Sequence, residues 1–581
     1  MKNKGLVYII TASTVGTMIE WYDFYIFGSL ATIISTQFFP KENAAASFLA
    51  TLATFAAGLL VRPFGALFFG RLGDLIGRKY TFMVTLLLMG GSTFAIGLIP
   101  KYETIGFAAP LIILVLRLLQ GLAIGGEYGG AATFVAEHAP VRERGFWTSW
   151  IQLSAGFAFA FALGVIILAK SFLTQGDWEN WGWRIPFLIS IFMVAISVYI
   201  RKNMSESPLF AEAKAEGRTS KNPLKESLGN KANLKLVLLA LFGLMMGTGV
   251  VSWSSNYYAQ NFLLKTMNVD YDQTNIAVMI GILLAVPTVV ISGWLSDRIG
   301  RKFILMFALF LAITCLRPIF GFMYNTINLE VKTENKSVQT TETNRQLLSN
   351  SDSLITKTTT FFYTDGTTCK EIKKETIRAG KSIKNEITKT IKMNNHDRWI
   401  IILMITLMTI INSIGYGPLA AFLVEMFPLK IRYSSLSLPY HIGYGIFGGM
   451  SQVIGTYLIG KAKAAHSPDY YLAGLTYPNI VMTITLVIGL LYLKENYAEK
   501  TEIKPGSKNI KAIKRWLGIV WMLLGLAAAY LGVFELGLPK IFSGNQEDLI
   551  FGIIMLCVIT PVTSIGLFFF GKYALQGEYN D

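Results

Sequence analysis

Charge is scarce in this chain. Only 15% of its 581 residues are Asp, Glu, Lys or Arg, where soluble domains carry about 25%. Cysteine is scarcer still. Cys315, Cys369 and Cys557 share no motif spacing, so neither a disulfide framework nor a cysteine-based metal site is expected. The four histidines, His138, His396, His441 and His466, are scattered. No glycine-rich phosphate loop, metal-ligand cluster or nucleophile elbow occurs. An enzyme is therefore not expected, nor a bound cofactor or metal. What is abundant is apolar: 52% of residues are hydrophobic and 13% aromatic, with a mean hydropathy of +0.47. Runs of about 20 such residues, each able to cross roughly 30 Å of hydrocarbon, recur along almost the whole chain. The first is too long for a signal-peptide core and carries Glu20 and Asp23, so no cleavable signal peptide is expected. The fold class this implies is an all-α polytopic membrane protein.

The net charge of +16 points to nucleic acid only if its location is ignored. Lys and Arg concentrate in alternate loops: RLGDLIGRK (71–79), PVRERG (140–145), the segment 201–235, DRIGRK (297–302), PLKIR (428–432) and the segment 494–515. This is the positive-inside pattern. It predicts cytoplasmic basic loops and cytoplasmic N- and C-termini, with lipid rather than nucleic acid as the surrounding partner. Fourteen spans are expected, at 8–35, 46–70, 80–99, 106–134, 147–172, 183–201, 235–262, 273–296, 303–323, 398–426, 434–460, 474–493, 516–534 and 549–571.

Two internal repeats divide the chain. GRLGDLIGRK (70–79) follows the second span and GWLSDRIGRK (293–302) the eighth. EHAPVRER (137–144) and EMFPLKIR (425–432) close the fourth and tenth. Two matches at equivalent positions predict two six-helix halves in parallel topology, related by an axis along the membrane normal. The expected organisation is a half at 1–201, a cytoplasmic linker at 202–234, a second half at 235–494, a linker at 495–515, and two additional helices at 516–581. The first repeat pair is 223 residues apart and the second 288. The excess lies in a polar stretch at 324–397, which the topology makes extracytoplasmic. Its β-branched runs around Asp365–Gly366 predict a small β-containing cap or a loose loop.

These motifs resemble the major facilitator superfamily, whose best-known mark is the G-x-L-x-D-x-x-G-R-K loop. The finer resemblance is to its metabolite:H⁺ symporters, which carry dicarboxylates, tricarboxylates, shikimate, or zwitterionic osmolytes such as proline and betaine. GTMIEWYDFYIFG (16–28), VRPFGALFFGRLGDLIGRK (61–79), LRLLQGLAIGGEYGGAATFVAEHAP (116–140) and VEMFPLKIRYSS (424–435) carry it. The resemblance implies a bacterial inner-membrane protein that works as a monomer on a small molecule and H⁺. The insertion and the last two spans depart from the pattern. Some osmolyte-transporting relatives carry a coiled coil in that tail, and no heptads occur here.

A carboxylate at the bilayer centre costs about 2.5–3.5 kcal/mol even on the mildest scale, so buried charges mark function. Glu20 and Asp23 are three residues apart and share a helix face. With Glu127 and His441 they are the proton-coupling candidates. Arg117 and Glu127 stand ten residues apart on one helix, about 15 Å, so each needs another partner. Arg62, Arg117, Tyr25, Asn256, Tyr257, Asn412 and Tyr416 are the substrate-binding candidates, as sparse polar groups on apolar walls. Asp74, Arg78, Asp297, Arg301, Glu137, Arg144, Glu425 and Arg432 lie in the basic turns and are read as a gate latch whose charge pairs form and break between two states.

The main functional expectation is proton-coupled symport of a small carboxylate-bearing metabolite, such as a di- or tricarboxylate. The alternative is uptake of a zwitterionic osmolyte. A drug/proton antiporter is disfavoured because the fifth span, FWTSWIQLSAGFAFAFALGVIILAK, has no proline. A transporter-like sensor is disfavoured by the intact gate motifs. Arginines at cavity depth suit an anionic carboxylate, and the same groups would take the carboxylate end of a zwitterion.

Overall fold

The computed structural model describes residues 2–40, 44–202, 211–212, 215–216, 223–347, 352–378, 381–495, 508–543, 549 and 552–580. Among these, eleven helices are long and apolar enough to cross a membrane. The first half contains α1 (Lys2–Ser29, continued by Ala31–Phe38), α2 (Ala44–Leu75), α3 (Arg78–Leu98), α4 (Ala108–His138), α5 (Arg144–Ser171) and α6 (Ile185–Lys202). The second contains α7 (Lys231–Thr266), α8 (Tyr271–Ile299), α9 (Arg301–Ile327), α10 (Asn395–Met426), α11 (432–464) and α12 (Thr476–Tyr492). A hairpin follows, α13 (Lys511–Ile541) and α14 (Gly552–Leu575). The three expected spans outside the eleven fall on α1, α2 and α11, the helices that carry Glu20 and Asp23, Arg62, and His441.

Local chemistry explains several features. In both GRK turns the first glycine of the Gly-Arg-Lys triplet has positive φ, 135° at Gly77 and 103° at Gly300, a conformation that costs a side-chain-bearing residue dearly. The glycines of α4 let two backbones touch. A Cβ on Gly121 would stand 2.1 Å from the Gly58 carbonyl oxygen, and one on Gly125 would stand 2.2 Å from that of Arg62. Close approach of this kind is what small residues allow between membrane helices. Four of the described helices are not regular: α13 and α14 carry π-helical turns at Leu531–Gly537 and Met555–Ile559, and two more lie in the halves. α7 widens into π-helical turns at Leu241–Met245, Ser254–Tyr258 and Phe262–Thr266, and α11 does so over His441–Gly448. Such turns rotate the following side chains and cluster at functional sites. Nothing in the residue pattern marks them.

The insertion is an antiparallel meander of four strands in chain order: β1 (Thr340–Leu347), β2 (Asp352–Phe362), β3 (Thr368–Arg378) and β4 (Lys381–Lys392). The Asp365–Gly366 turn joins β2 to β3, with Phe362 opposite Thr368. Helix α9 runs on to Ile327 and α10 begins at Asn395, so the polar stretch is a few residues shorter at its start than expected. The base of the sheet is tied down twice. Ile391 exchanges backbone hydrogen bonds with Asn268 (2.7 Å) and Asp270 (2.8 Å) in the α7–α8 turn. Lys332 bonds Asp365 (2.6 Å) and also Asp397 at the start of α10.

The final hairpin packs α13 on α14 through Gly518 and Gly571, where a Cβ on either would stand about 2.5 Å from the other's carbonyl. It leans on the second half. Trp521 donates to the Tyr492 hydroxyl (3.2 Å), Gly566 faces Phe242, and Glu578 pairs with Lys231 (2.7 Å) and Lys235 (3.1 Å). In the 202–234 stretch, residues 203–210, 213–214 and 217–222 lie outside the described residues, and Pro223–Gly229 is helical.

The clamp at the sheet base is testable through pH. Burial pushes the Asp365 carboxyl up, but hydrogen bonds from Lys332 and Thr367 outweigh it and hold the group below the usual carboxylate range. Its stabilisation is therefore complete above the ordinary aspartate value and is lost as pH falls through the lowered one. Protection of the Thr367 amide and of β3 against hydrogen exchange, relative to the intrinsic rate at each pH, is expected to fall in acid, and in Lys332→Met to be low already at neutral pH. Equal protection in both proteins at neutral pH would show that the ion pair does not hold the turn.

Candidate functional site

The halves meet chiefly where α2 packs on α11 and α5 packs on α8 and α10. Between them lies a narrow cavity of about 40 Å³. Its walls include Tyr25, Gln152 and Phe159 from the first half, and Asn256, Tyr257, Asn412, Tyr416 and Tyr444 from the second. It has room for only a few water molecules. Aromatic rings close it. Tyr257 stacks on Trp253 (4.8 Å between centroids) and Phe159 (5.1 Å) and meets Tyr25 at 5.6 Å. Tyr444 lies 5.7 Å from Trp21 and stacks on Tyr440 at 5.6 Å. The Tyr416 and Tyr440 hydroxyls bond each other at 2.9 Å. Asn256 bonds the Ser252 carbonyl (3.2 Å) and accepts from Thr409 (3.3 Å).

The π-helical turn Ser254–Tyr258 carries Asn256 and Tyr257, and His441–Gly448 carries His441 and Tyr444. Both irregular turns therefore serve the cavity. Sequence reasoning placed five of its substrate candidates, Tyr25, Asn256, Tyr257, Asn412 and Tyr416, on this wall. It missed Gln152, Trp253, Tyr440 and Tyr444. The available signal was the aromatic spacing of SLPYHIGYG, where the small residues between the rings leave them room to converge.

Behind the wall lie the arginines. Arg62 is 1% exposed. Its guanidinium carbon stands 4.3 Å from the Phe24 ring centroid and 5.6 Å from that of Trp21. Tyr25, Tyr257, Tyr440 and Tyr444 surround it. Among the described residues no carboxylate pairs with it, and its Nε and Nη2 have no hydrogen-bond partner. Arg117 donates to Gln120 Oε1 (2.6 Å), and Gln120 donates to Thr93 Oγ1 (2.7 Å). Asp23 is fully buried and faces Thr93 and Arg117. Glu20 is buried one turn away. Glu127 accepts from Thr85 of α3 (2.8 Å), so that oxygen is turned within the first half. His441 lies beside Arg62, and its Nε2 is without a partner.

At the basic-loop end the halves are locked by reciprocal contacts. Asp297 accepts from Gly145 N (2.8 Å) and Phe146 N (2.7 Å), at the amino end of α5. Asp74 accepts from Ser434 N (3.0 Å) and Ser434 Oγ (2.7 Å), at the amino end of α11. Each carboxylate thus satisfies orphan first-turn amides and meets the positive end of a helix dipole in the opposite half. Glu137 pairs with Arg432 (3.1 Å), and Glu425 pairs with Arg301 (2.8 Å) and Arg144 (3.7 Å). Asp297 also pairs with Arg301 (2.9 Å). Seven of the eight gating candidates fall in this one network. The side chain of Arg78 lies outside the described residues. Ser434 and Glu495, which accepts from Arg301 N and Lys302 N at 2.8 Å, were not foreseen. At the opposite end, Tyr271 OH donates to the Ser29 carbonyl (2.9 Å) and Lys170 pairs with Asp272 (3.2 Å). The cavity is closed on both sides.

Two helical halves closed over a small polar cavity, with a charge latch across one end, define a secondary transporter. The chain belongs to the major facilitator superfamily: residues 13–328 match the family described as Major Facilitator Superfamily. Residues 510–581, the final hairpin, match a family of unknown function. The Proline/betaine transporter of Escherichia coli (strain K12) is 30% identical over 490 residues, 82% of each chain. The Shikimate transporter of the same organism is 36% identical over 295 residues, 50% of this chain and 66% of that protein. Among solved structures, the proton:xylose symporter XylE bound to 6-bromo-6-deoxy-D-glucose has the same fold, with a TM-score of 0.59 at 15% identity over 84% of this chain and 96% of that one.

Glu425 is the hub of the latch. Removing one partner of a buried ion pair costs about 3 kcal/mol or more, and that much changes a two-state population on the order of a hundredfold. Glu425→Gln leaves Arg144 and Arg301 short of a counter-charge and is expected to open the basic-loop end. The measurement is hydrogen exchange at the adjoining ends of α4, α5 and α10. Unchanged exchange there would mean the latch does not hold the halves together.

Proposed function

We propose that the chain is a proton-coupled symporter of a small zwitterion with a carboxylate at one end and an onium group at the other. It sits in the inner membrane of a bacterium with its termini and basic loops in the cytoplasm. The observation that carries the reading is Arg62, a buried cation that meets no carboxylate among the described residues, set among aromatic rings. An ion held that way costs several kcal/mol, and a substrate carboxylate would supply the missing charge through a charge-assisted hydrogen bond. The rings of Trp21, Tyr25, Tyr257 and Tyr444 suit the other end of the same molecule, since aromatic cages attract quaternary ammonium groups. A di- or tricarboxylate would need a second free cation beside Arg62. Arg117, the neighbouring guanidinium, is turned to Gln120 and Asp23, and the described residues that line the cavity from the second half are neutral polar, aromatic or apolar. Similarity to a proline/betaine transporter over 82% of each chain supports the same choice.

Asp23 is the proposed proton site. Protonated, it releases Arg117 from its electrostatic hold, and the pair of arginines then carries more net positive charge for an incoming carboxylate. Deprotonated on the cytoplasmic side, it draws Arg117 back and lowers the affinity for the anion. Glu20, Glu127 and His441 are the other acid–base groups within the bundle that could share this role.

The test is transport in proteoliposomes with radiolabelled glycine betaine and succinate. The wild type is expected to accumulate betaine down an imposed proton gradient and to ignore succinate. Arg62→Gln is expected to weaken binding by about a hundredfold, on the order of 3 kcal/mol for a charge-assisted contact. Asp23→Asn is expected to keep exchange at equal pH while losing uphill accumulation. Accumulation of succinate but not betaine would overturn the substrate class, and uphill transport by Asp23→Asn would remove Asp23 as the coupling acid.

A further inference from the structure

Phe24 stands between the two sites just described. The guanidinium of Arg62 lies over its ring at 4.3 Å and that of Arg117 lies over the same ring at 5.4 Å. Phe24 is also the residue next to Asp23 on α1, and it is 2% exposed. One aromatic ring is thus shared by the cation assigned to the substrate carboxylate and the cation that answers the proton site.

Two guanidiniums this close repel each other, and burial removes the water that would screen them. A ring quadrupole attracts a cation held over its face, so the shared ring offsets part of that repulsion and keeps both charges in one place. The charged and titratable groups that face this unit are Asp23 and Tyr25 on α1 itself, Arg62 on α2, Arg117 on α4, Tyr257 on α7 and Tyr440, His441 and Tyr444 on α11. Gln120 links Arg117 to Thr93 by hydrogen bonds, and Thr93 faces Asp23.

We infer that Phe24 is the positioning residue that couples proton to substrate, because its ring holds Arg62 and Arg117 together so that the charge state of Asp23 is felt where the carboxylate binds. The inference rests on the symport reading above. With the ring in place, protonating Asp23 leaves two clustered cations and raises the affinity for an anion. Without it the guanidiniums move apart, and binding at Arg62 no longer follows the proton.

The experiment compares glycine betaine affinity on the acid and alkaline sides of neutrality in purified protein, together with exchange and uphill accumulation in vesicles. The wild type is expected to bind about tenfold more tightly in acid, an ordinary size for coupling between two sites. Phe24→Leu is expected to bind and exchange betaine with that ratio collapsed to near one, and to accumulate poorly. Phe24→Tyr, which keeps the ring, is expected to restore the ratio. Phe27→Leu removes a ring that lies against Arg117 (4.0 Å) and is not shared with Arg62 among the described contacts, and it is expected to keep the ratio. The inference is overturned if Phe24→Leu shows the wild-type ratio and accumulation, or if Phe24→Tyr loses the ratio while still binding. Should Phe24→Leu fail to fold, the contrast between Phe24→Tyr and Phe27→Leu decides in the same way. Failure of the underlying reading looks different: the wild type itself would show no pH dependence, and Asp23→Asn would accumulate betaine uphill.

Discussion

A permanent positive charge inside an apolar bundle is the constraint on which this structure turns. Arg62 cannot lose its proton at any physiological pH, and it is reached by no carboxylate among the described residues. The protein holds it by geometry. The glycines of α4 bring that helix against the α2 backbone at Gly58 and Arg62, which places Arg62 and Arg117 on either side of one contact. The rings of Trp21 and Phe24 then cover the guanidinium. Cation–π contacts supply part of what water would have supplied, and on the proposed reading a substrate carboxylate supplies the rest.

The latch at the basic-loop end solves a related problem with the opposite economy. Here charge meets charge or helix end. Asp74 and Asp297 occupy equivalent places in the repeated turn, and each reaches the amino end of a helix in the other half. Glu137 and Glu425, equivalent in the second repeat, likewise cross to Arg432 and Arg144. Two-fold repetition in the sequence becomes two-fold exchange of contacts in space. Helix dipoles are fixed by the backbone, so such contacts lose little when the side chains fluctuate but are lost together when the halves rotate apart. That makes the latch cooperative.

The β-meander and the terminal hairpin are additions to this core, and each is attached differently. The sheet is joined by backbone hydrogen bonds to the α7–α8 turn and by the Lys332 clamp, both at the edge of the bundle. Most of its surface stays polar, as its threonine- and lysine-rich strands require. The hairpin is attached by packing, with Met555 and Ile559 against Ile446, Met450 and Ile454 of α11, because apolar helices in lipid associate by close fit rather than by exclusion of water.

Much of this was legible from the chain. Hydrophobic run length alone placed the helices, since hydrocarbon forces every backbone group into a helix of sufficient length. The repeated turns exposed the two halves, and the distance between repeats located the insertion, whose Asp-Gly turn marked its central hairpin. Charges in apolar segments marked Glu20, Asp23, Arg62 and Arg117, because the cost of burying them is a property of the residue and its neighbours in sequence. What the sequence could not decide was which groups meet. Tyr444 reads as an ordinary packing aromatic until the widened turn of α11 brings it to the cavity wall, with Tyr440 and Trp253 packed against it. Asp74 and Asp297 read as partners for nearby arginines, yet each also caps a helix in the opposite half. Phe24 reads as one more apolar residue, and only the approach of α2 and α4 puts two guanidiniums over its ring. Burial cost is local and can be read along the chain; convergence depends on the angles at which helices cross, and those exist only in the folded bundle.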